Sequence, residues 1–250
     1  MKRWWPFSNQ RVIPANSLFA GIASQAVILR HLTPADHARL GRLVEQFLRT
    51  KTFEGAQGLI VTDRMRMEIA LQACLLILNL DLEFYANWHA VVLYPGDFRV
   101  DREVVDEDGV VHRWSEELSG ESWEQGPVIL SWDAAAQADP NMNVVLHEFA
   151  HKLDMRDGAA NGCPPLRAGM SAQEWSDVFA PAFDRFQLAL EAGEMLWLDE
   201  YAAANPAEFF AVLSEMFFLQ PQAVLNDLPE VYRQLKLFYG QDPAVVTTGA

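Results

Sequence analysis

Asn143-Val-Val-Leu-His147-Glu148-Phe149-Ala150-His151-Lys152-Leu153-Asp154 is the stretch on which the reading of this chain turns. Helical residues four apart share a face, so His147 and His151 point the same way and can grip one metal ion. Glu148 then stands where it can take a proton from a water at that ion. Val145, Leu146, Phe149, Ala150 and Leu153 recur near the helical period, marking a face that packs into a core. Asp139-Pro140 reads as the opening of this helix, with the aspartate as cap and proline at the first position. The competing reading is a polar helix face with packed histidines and a solvated Glu148.

Asp154 continues the histidine stripe. A carboxylate near a helix C-terminus opposes the helix dipole, so it calls for a partner. The candidates are the second nitrogen of a ligand histidine and a surface salt bridge.

A catalytic zinc takes three protein ligands and keeps one position open for water. No histidine follows His151, which leaves a carboxylate or Cys163 as the third. Glu174 is at a tempting distance, but Ser171-Ala-Gln-Glu174 reads as a capping box and is set aside. Glu208 is the stronger candidate. Asn205-Pro206 opens a helix on which Glu208 stands in the first turn, where the dipole favours negative charge. Phe209, Phe210, Leu213, Met216 and Phe217 bury that helix, and a carboxylate there is costly unless paired or metal-bound. Glu215, two turns along, either accepts from a ligand histidine or is a solvated charge.

His147-Glu-Phe-Ala-His-Lys-Leu-Asp154, followed by Tyr201, six residues, and Glu208-Phe-Phe-Ala211, resembles the Mlc titration factor A family of bacterial zinc peptidases. The same elements are similar, more distantly, to the catalytic domain of anthrax lethal factor. The motifs lie within residues 85–240, and similarity to the family is expected along the whole chain. The resemblance implies one zinc ion held by His147, His151 and Glu208, with Glu148 as general base and Tyr201 steadying the transition state. It also implies aminopeptidase activity on short peptides, and binding of Mlc, a repressor of glucose phosphotransferase uptake genes. Chemically, a tyrosine hydroxyl can donate to a tetrahedral oxyanion.

The chain has 250 residues, half of them hydrophobic, enough for a large core. Two cysteines, Cys74 in an apolar run and Cys163 in a loop, suggest no disulfide framework and favour a reducing, cytoplasmic setting. The amino terminus carries basic residues without the apolar core of a signal peptide, and no stretch reaches membrane-spanning length. The net charge of −15 repels phosphates and argues against direct nucleic-acid binding. It suits a basic partner or a free amino group.

Helices are expected from Thr33-Pro34 to about Arg49 and from Thr62-Asp63 into the apolar run near Leu80. Strands are expected over His89–Tyr94, Phe98–Val105, Val110–Trp114 and Gly126–Trp132, with Asp106–Gly109 as a hairpin turn. Val128–Ser131 is a candidate edge strand for pairing with substrate, and an interior strand fits equally. Met155–Met170 either shapes the cleft or is a disordered connector. His31, His37, His89 and His112 lack metal spacing.

The expected architecture is α+β, zincin-like, with a small mixed sheet and an active-site helix. Residues 1–85 form a helical part, 86–240 a catalytic part and 241–250 a flexible tail, or the whole is one composite domain. The alternative to peptide hydrolysis is a non-catalytic protein that sequesters the repressor.

Overall fold

The computed structural model describes residues 15–105, 111–137 and 139–245. The expected turn at 106–109, the amino terminus before residue 15 and the last five residues lie outside the described residues.

Local chemistry accounts for the first helices. After α1 (Ala15–Ala23), α2 (Pro34–Thr50) is capped by Thr33, whose hydroxyl accepts from the Asp36 backbone while the Asp36 carboxylate bonds back. Its buried stripe is Leu40, Val44 and Phe47. The chain continues through β1 (Thr52–Gly55) into α3 (Asp63–Leu76), capped by Thr62. Buried residues occur all round α3, from Met65 and Met67 to Cys74 and Leu76, which makes it a central helix.

The middle of the chain builds β2 (Ala90–Tyr94), β3 (Phe98–Val105), β4 (Val111–Leu118), β5 (Gly120–Ser122) and β6 (Val128–Ser131). β3 and β4 form a separate antiparallel hairpin, Phe98 opposite Leu118. The other four make a mixed sheet in the order β1-β2-β6-β5. β1, β2 and β6 run parallel, and β5 lies antiparallel at the edge. Val128–Ser131 is therefore interior, and the edge falls to Gly120–Ser122. β1, unanticipated, closes the opposite edge.

After α4 (Trp132–Ala136) comes α5 (Val144–Asp154), then α6 (Ala172–Glu191), α7 (Pro206–Leu219), α8 (Pro221–Asp227) and α9 (Pro229–Tyr239). The expected start of α5 needs correction. Asn143 is its cap, the side-chain oxygen accepting from the Leu146 backbone. Asp139 instead closes a small turn by accepting from the Asn141 N–H at 2.7 Å.

One buried cluster runs from Ala23 to Tyr239 and joins the first helices to α5 and α7. At its centre Phe149 meets Phe47, Tyr85 and Trp88 at ring centroid distances of 5.9, 5.5 and 5.6 Å. The tilted and edge-on geometry is the favourable one for aromatic pairs. Phe149 locks α5 into the core, and the residues on its other stripe face the cleft. The chain stays anchored past α9: Gln241 is buried and donates to the Leu75 carbonyl, and the Ala244 N–H bonds the Tyr232 hydroxyl. No helix among the described residues is long and apolar enough to cross a membrane.

Candidate metal centre

α5 and α7 pack against each other, and their facing stripes bring the predicted residues together. His151 Nε2 lies 3.1 Å from His147 Nε2 and 3.1 Å from Glu208 Oε2, and His147 Nε2 lies 3.0 Å from the same oxygen. Asn205 presents Glu208 by accepting from the backbones of Ala207 and Glu208 at the start of α7. His151 is buried, and His147 and Glu208 are mostly so.

The second nitrogen of His147 decides what these atoms can do. Nδ1 stands 2.6 Å from Glu215 Oε1, a carboxylate that can only accept. The other oxygen of Glu215 accepts from the Asn143 backbone at 2.6 Å. With its proton on Nδ1, His147 turns a lone pair toward Glu208 and His151. Ligand distances of about 2.0–2.2 Å set donor atoms roughly 3 Å apart, and this triangle has that spacing. The donor set fits a metal ion.

The electrostatics agree. Burial works against charge on His147, but the hydrogen bonds to Glu208 and Glu215 outweigh it and raise its pKa well above the histidine norm. For Glu208, burial pushes up, yet the two histidines bring its pKa down to about 2. The site is built to hold positive charge between carboxylates. Glu148 is buried beside it, and burial raises its pKa, partly offset by His147, His151 and a hydrogen bond from Ser122. The Ser122 hydroxyl lies 2.7 Å from Glu148 Oε2.

β5 sits directly on α5. A Cβ at Gly120 would lie 2.5 Å from Glu148 Oε1 and 2.7 Å from Val144 Cγ2. Only glycine lets the edge strand approach this closely. Nothing in the sequence marks Ser122 and Gly120; three residues of modest strand propensity carry no pattern of their own.

Tyr201 is half-exposed on a short turn, Glu200–Ala203, its ring centroid 6.1 Å from that of His147. Asp154 serves neither of its two suggested roles. It is fully buried, and one carboxylate oxygen accepts from the backbones of Asn161 and Gly162 at 2.9 and 2.7 Å. That bond folds the 155–170 loop back onto the cleft, where Met155, Ala160 and Asn161 form wall. Cys163 packs against the core, and Glu174 sits in the first turn of α6 under its cap Ser171. Neither joins the donor triangle, nor does His31, which bonds Gln241. The His112 side chain lies outside the described part.

Residues 3–240 match the family model described as glucose-regulated metallo-peptidase M90. This chain belongs to that family. M90 membership makes it a metallopeptidase-type protein, as the paired motifs led one to expect. Among its relatives, the Mlc titration factor A of Salmonella arizonae is 38% identical over 96% of this chain and 97% of its own length. That of Pectobacterium atrosepticum is 36% identical over 96% and 92%. The Yersinia pestis (strain Pestoides F) protein is 39% identical over 86% and 82%.

Proposed function

We propose that this M90 protein is a zinc-dependent peptidase of zincin-like fold, with His147, His151 and Glu208 as ligands. The observation that carries this reading is the convergence of three donor atoms within 3.1 Å, beside a buried carboxylate with a raised pKa. Bound zinc supplies Lewis acidity toward a substrate carbonyl and acidifies water toward neutrality.

The chain's own residues do the rest. Glu148, uncharged more readily than an ordinary glutamate, takes the water's proton and hands it to the departing amine. Ser122 holds one oxygen of that carboxylate and leaves the other for the proton. Tyr201 donates its hydroxyl to the oxyanion that forms as the carbonyl is attacked. The outer edge of β5, the last strand in the order of its sheet, aligns an extended peptide by backbone hydrogen bonds. Glu215 keeps His147 in the tautomer the site requires.

Family resemblance points further, to aminopeptidase action on short peptides in the cytoplasm. The printed name of the relatives, Mlc titration factor A, supports Mlc-type repressor binding as a second role. Residues 15–85 then brace the catalytic part as one composite domain, a reading supported by the Phe47–Phe149 contact.

Metal analysis of purified protein, with hydrolysis of amino-acid chromogenic amides before and after chelation, tests the peptidase. Stoichiometric zinc and chelator-sensitive turnover are expected. Metal-free protein that hydrolyses amides at the same rate overturns it. Repressor capture by His147→Ala, without amide turnover by the parent, would favour the sequestering role instead.

A further inference from the structure

Next to Glu148, on the side toward the start of α5, lies a hollow of about 220 Å³. Leu118 at the end of β4, Met142, Val144 and Val212 supply its apolar wall, and His147 and Glu148 border it. Val144 precedes Glu148 by one helical turn, and Val212 follows Glu208 by one turn. The wall is thus built from the same helix stripes as the donor set, displaced by one turn.

Several of the polar groups around this hollow are already engaged within the protein. Both oxygens of Glu215 are taken, by His147 and by the Asn143 backbone. Ser122 holds Glu148, Gln220 donates to Asn141, and Asp199 accepts from the Tyr201 backbone. A carboxylate entering here would lose water and meet the acidic Glu148, Asp199 and Glu215, whereas an apolar side chain gains by burial. An apolar cavity of about 150 Å³ takes a benzene ring, so this hollow has room for leucine or phenylalanine.

We propose that this hollow is a specificity subsite for a leucine- or phenylalanine-sized side chain flanking the scissile bond, with Val212 setting its depth and Met142 its rim. The inference rests on the peptidase reading of the adjoining centre. A peptide extended along β5 sends alternate side chains to opposite faces. A residue adjoining the cleaved bond is therefore directed into the hollow beside Glu148. Substrates with leucine or phenylalanine at one of the two flanking positions are preferred over alanine, and aspartate is refused.

Two measurements test this separately from the chemistry. Calorimetric binding of the zinc-loaded Glu148→Gln variant to peptides carrying Ala, Leu, Phe or Asp at each flanking position reads the subsite alone. Hydrolysis of the same peptides by the parent enzyme reads the chemistry. Leu and Phe are expected to exceed Ala by about tenfold or more at one position, as buried methylenes discriminate. Val212→Phe fills the hollow and reverses the Phe-to-Ala order. Met142→Trp narrows it from the exposed rim, and decides the matter should Val212→Phe not fold.

Binding indifferent to both flanking side chains, or a preference that survives in every folded variant, overturns the subsite. Selective binding without hydrolysis by the parent keeps the subsite and defeats the peptidase reading. Hydrolysis without selectivity does the reverse.

Discussion

Glu215 reaches from α7 to hold His147 Nδ1 at 2.6 Å with one oxygen, and the Asn143 backbone N–H with the other. A single buried carboxylate thereby fixes both a donor ring and the start of the helix that carries it. The two attachments are coupled, because a shift of α5 along its axis would disturb both. Glu215→Gln keeps the shape but replaces one acceptor oxygen by an amide group. Removal of such a supporting partner typically weakens metal affinity about 10–100-fold. Competition with a chromophoric chelator measures this, and parent-like affinity would mean that His147 is oriented by packing alone.

Glu148→Gln separates proton transfer from metal binding. The amide cannot take a proton from water, yet it touches none of the three donor atoms. Turnover on chromogenic amides is expected to disappear while zinc stoichiometry stays near that of the parent. Retained peptidase activity in this variant would remove Glu148 from the mechanism.

Gly120→Ala probes the close approach of β5 to α5. The added methyl would sit 2.5 Å from Glu148 Oε1 and 2.7 Å from Glu148 Cγ and Val144 Cγ2, so the strand or the glutamate must move. Overpacking of this kind costs about 1–3 kcal/mol, and it displaces the proposed base. A lowered melting temperature together with a fall in kcat is expected. A variant with the parent's kcat would show that Glu148 tolerates relocation.

What could be read beforehand was whatever local chemistry decides. Thr33, Thr62 and Asn205 cap their helices because a cap and the first turn it serves are neighbours in sequence. His147 and His151 share a face through helix geometry. Glu208 stood out as a charge on an apolar helix, and the structure brings it to both rings. Contacts between distant segments decided the rest. Asp139 and Asn143 are both good caps, and it is Glu215, 72 residues onward, that takes the Asn143 N–H. Gly120-Glu-Ser122 has no pattern that marks it as the edge strand; β6 and α5 make it one. Asp154, near a helix C-terminus, calls for a partner, but its partners are loop backbones, which no side-chain pattern announces.

Two buried lysines give the fold a distinctive pH dependence. Lys51 and Lys152 both lie over the Trp88 ring, their ammonium nitrogens 3.9 and 5.4 Å from its centre. Lys51 donates to the carbonyls of Tyr85 and Trp88, and Lys152 to those of Trp123 and Gly126. Neither ammonium pairs with a carboxylate among the described residues. Burial lowers the pKa of Lys51 to about 8. Burial and the neighbouring Lys51 charge do the same for Lys152, with Glu148 opposing. In the unfolded chain both titrate near the ordinary 10.5. Between about 8 and 10.5 the unfolded state therefore holds more protons, and stability must rise with pH. Cys74, Tyr85 and Tyr239 work the other way: burial raises each above its ordinary value, near 9 for the thiol and 10 for the phenols, so beyond those pH values the unfolded chain sheds protons the fold keeps. Stability should climb from pH 8 and turn over between about 9 and 10. Urea midpoints across that range measure it. Lys51→Met, though less stable overall because two carbonyls lose their donor, should show a shallower climb. A parent midpoint that falls between pH 8 and 9 would mean that both ammonium groups stay charged in the fold.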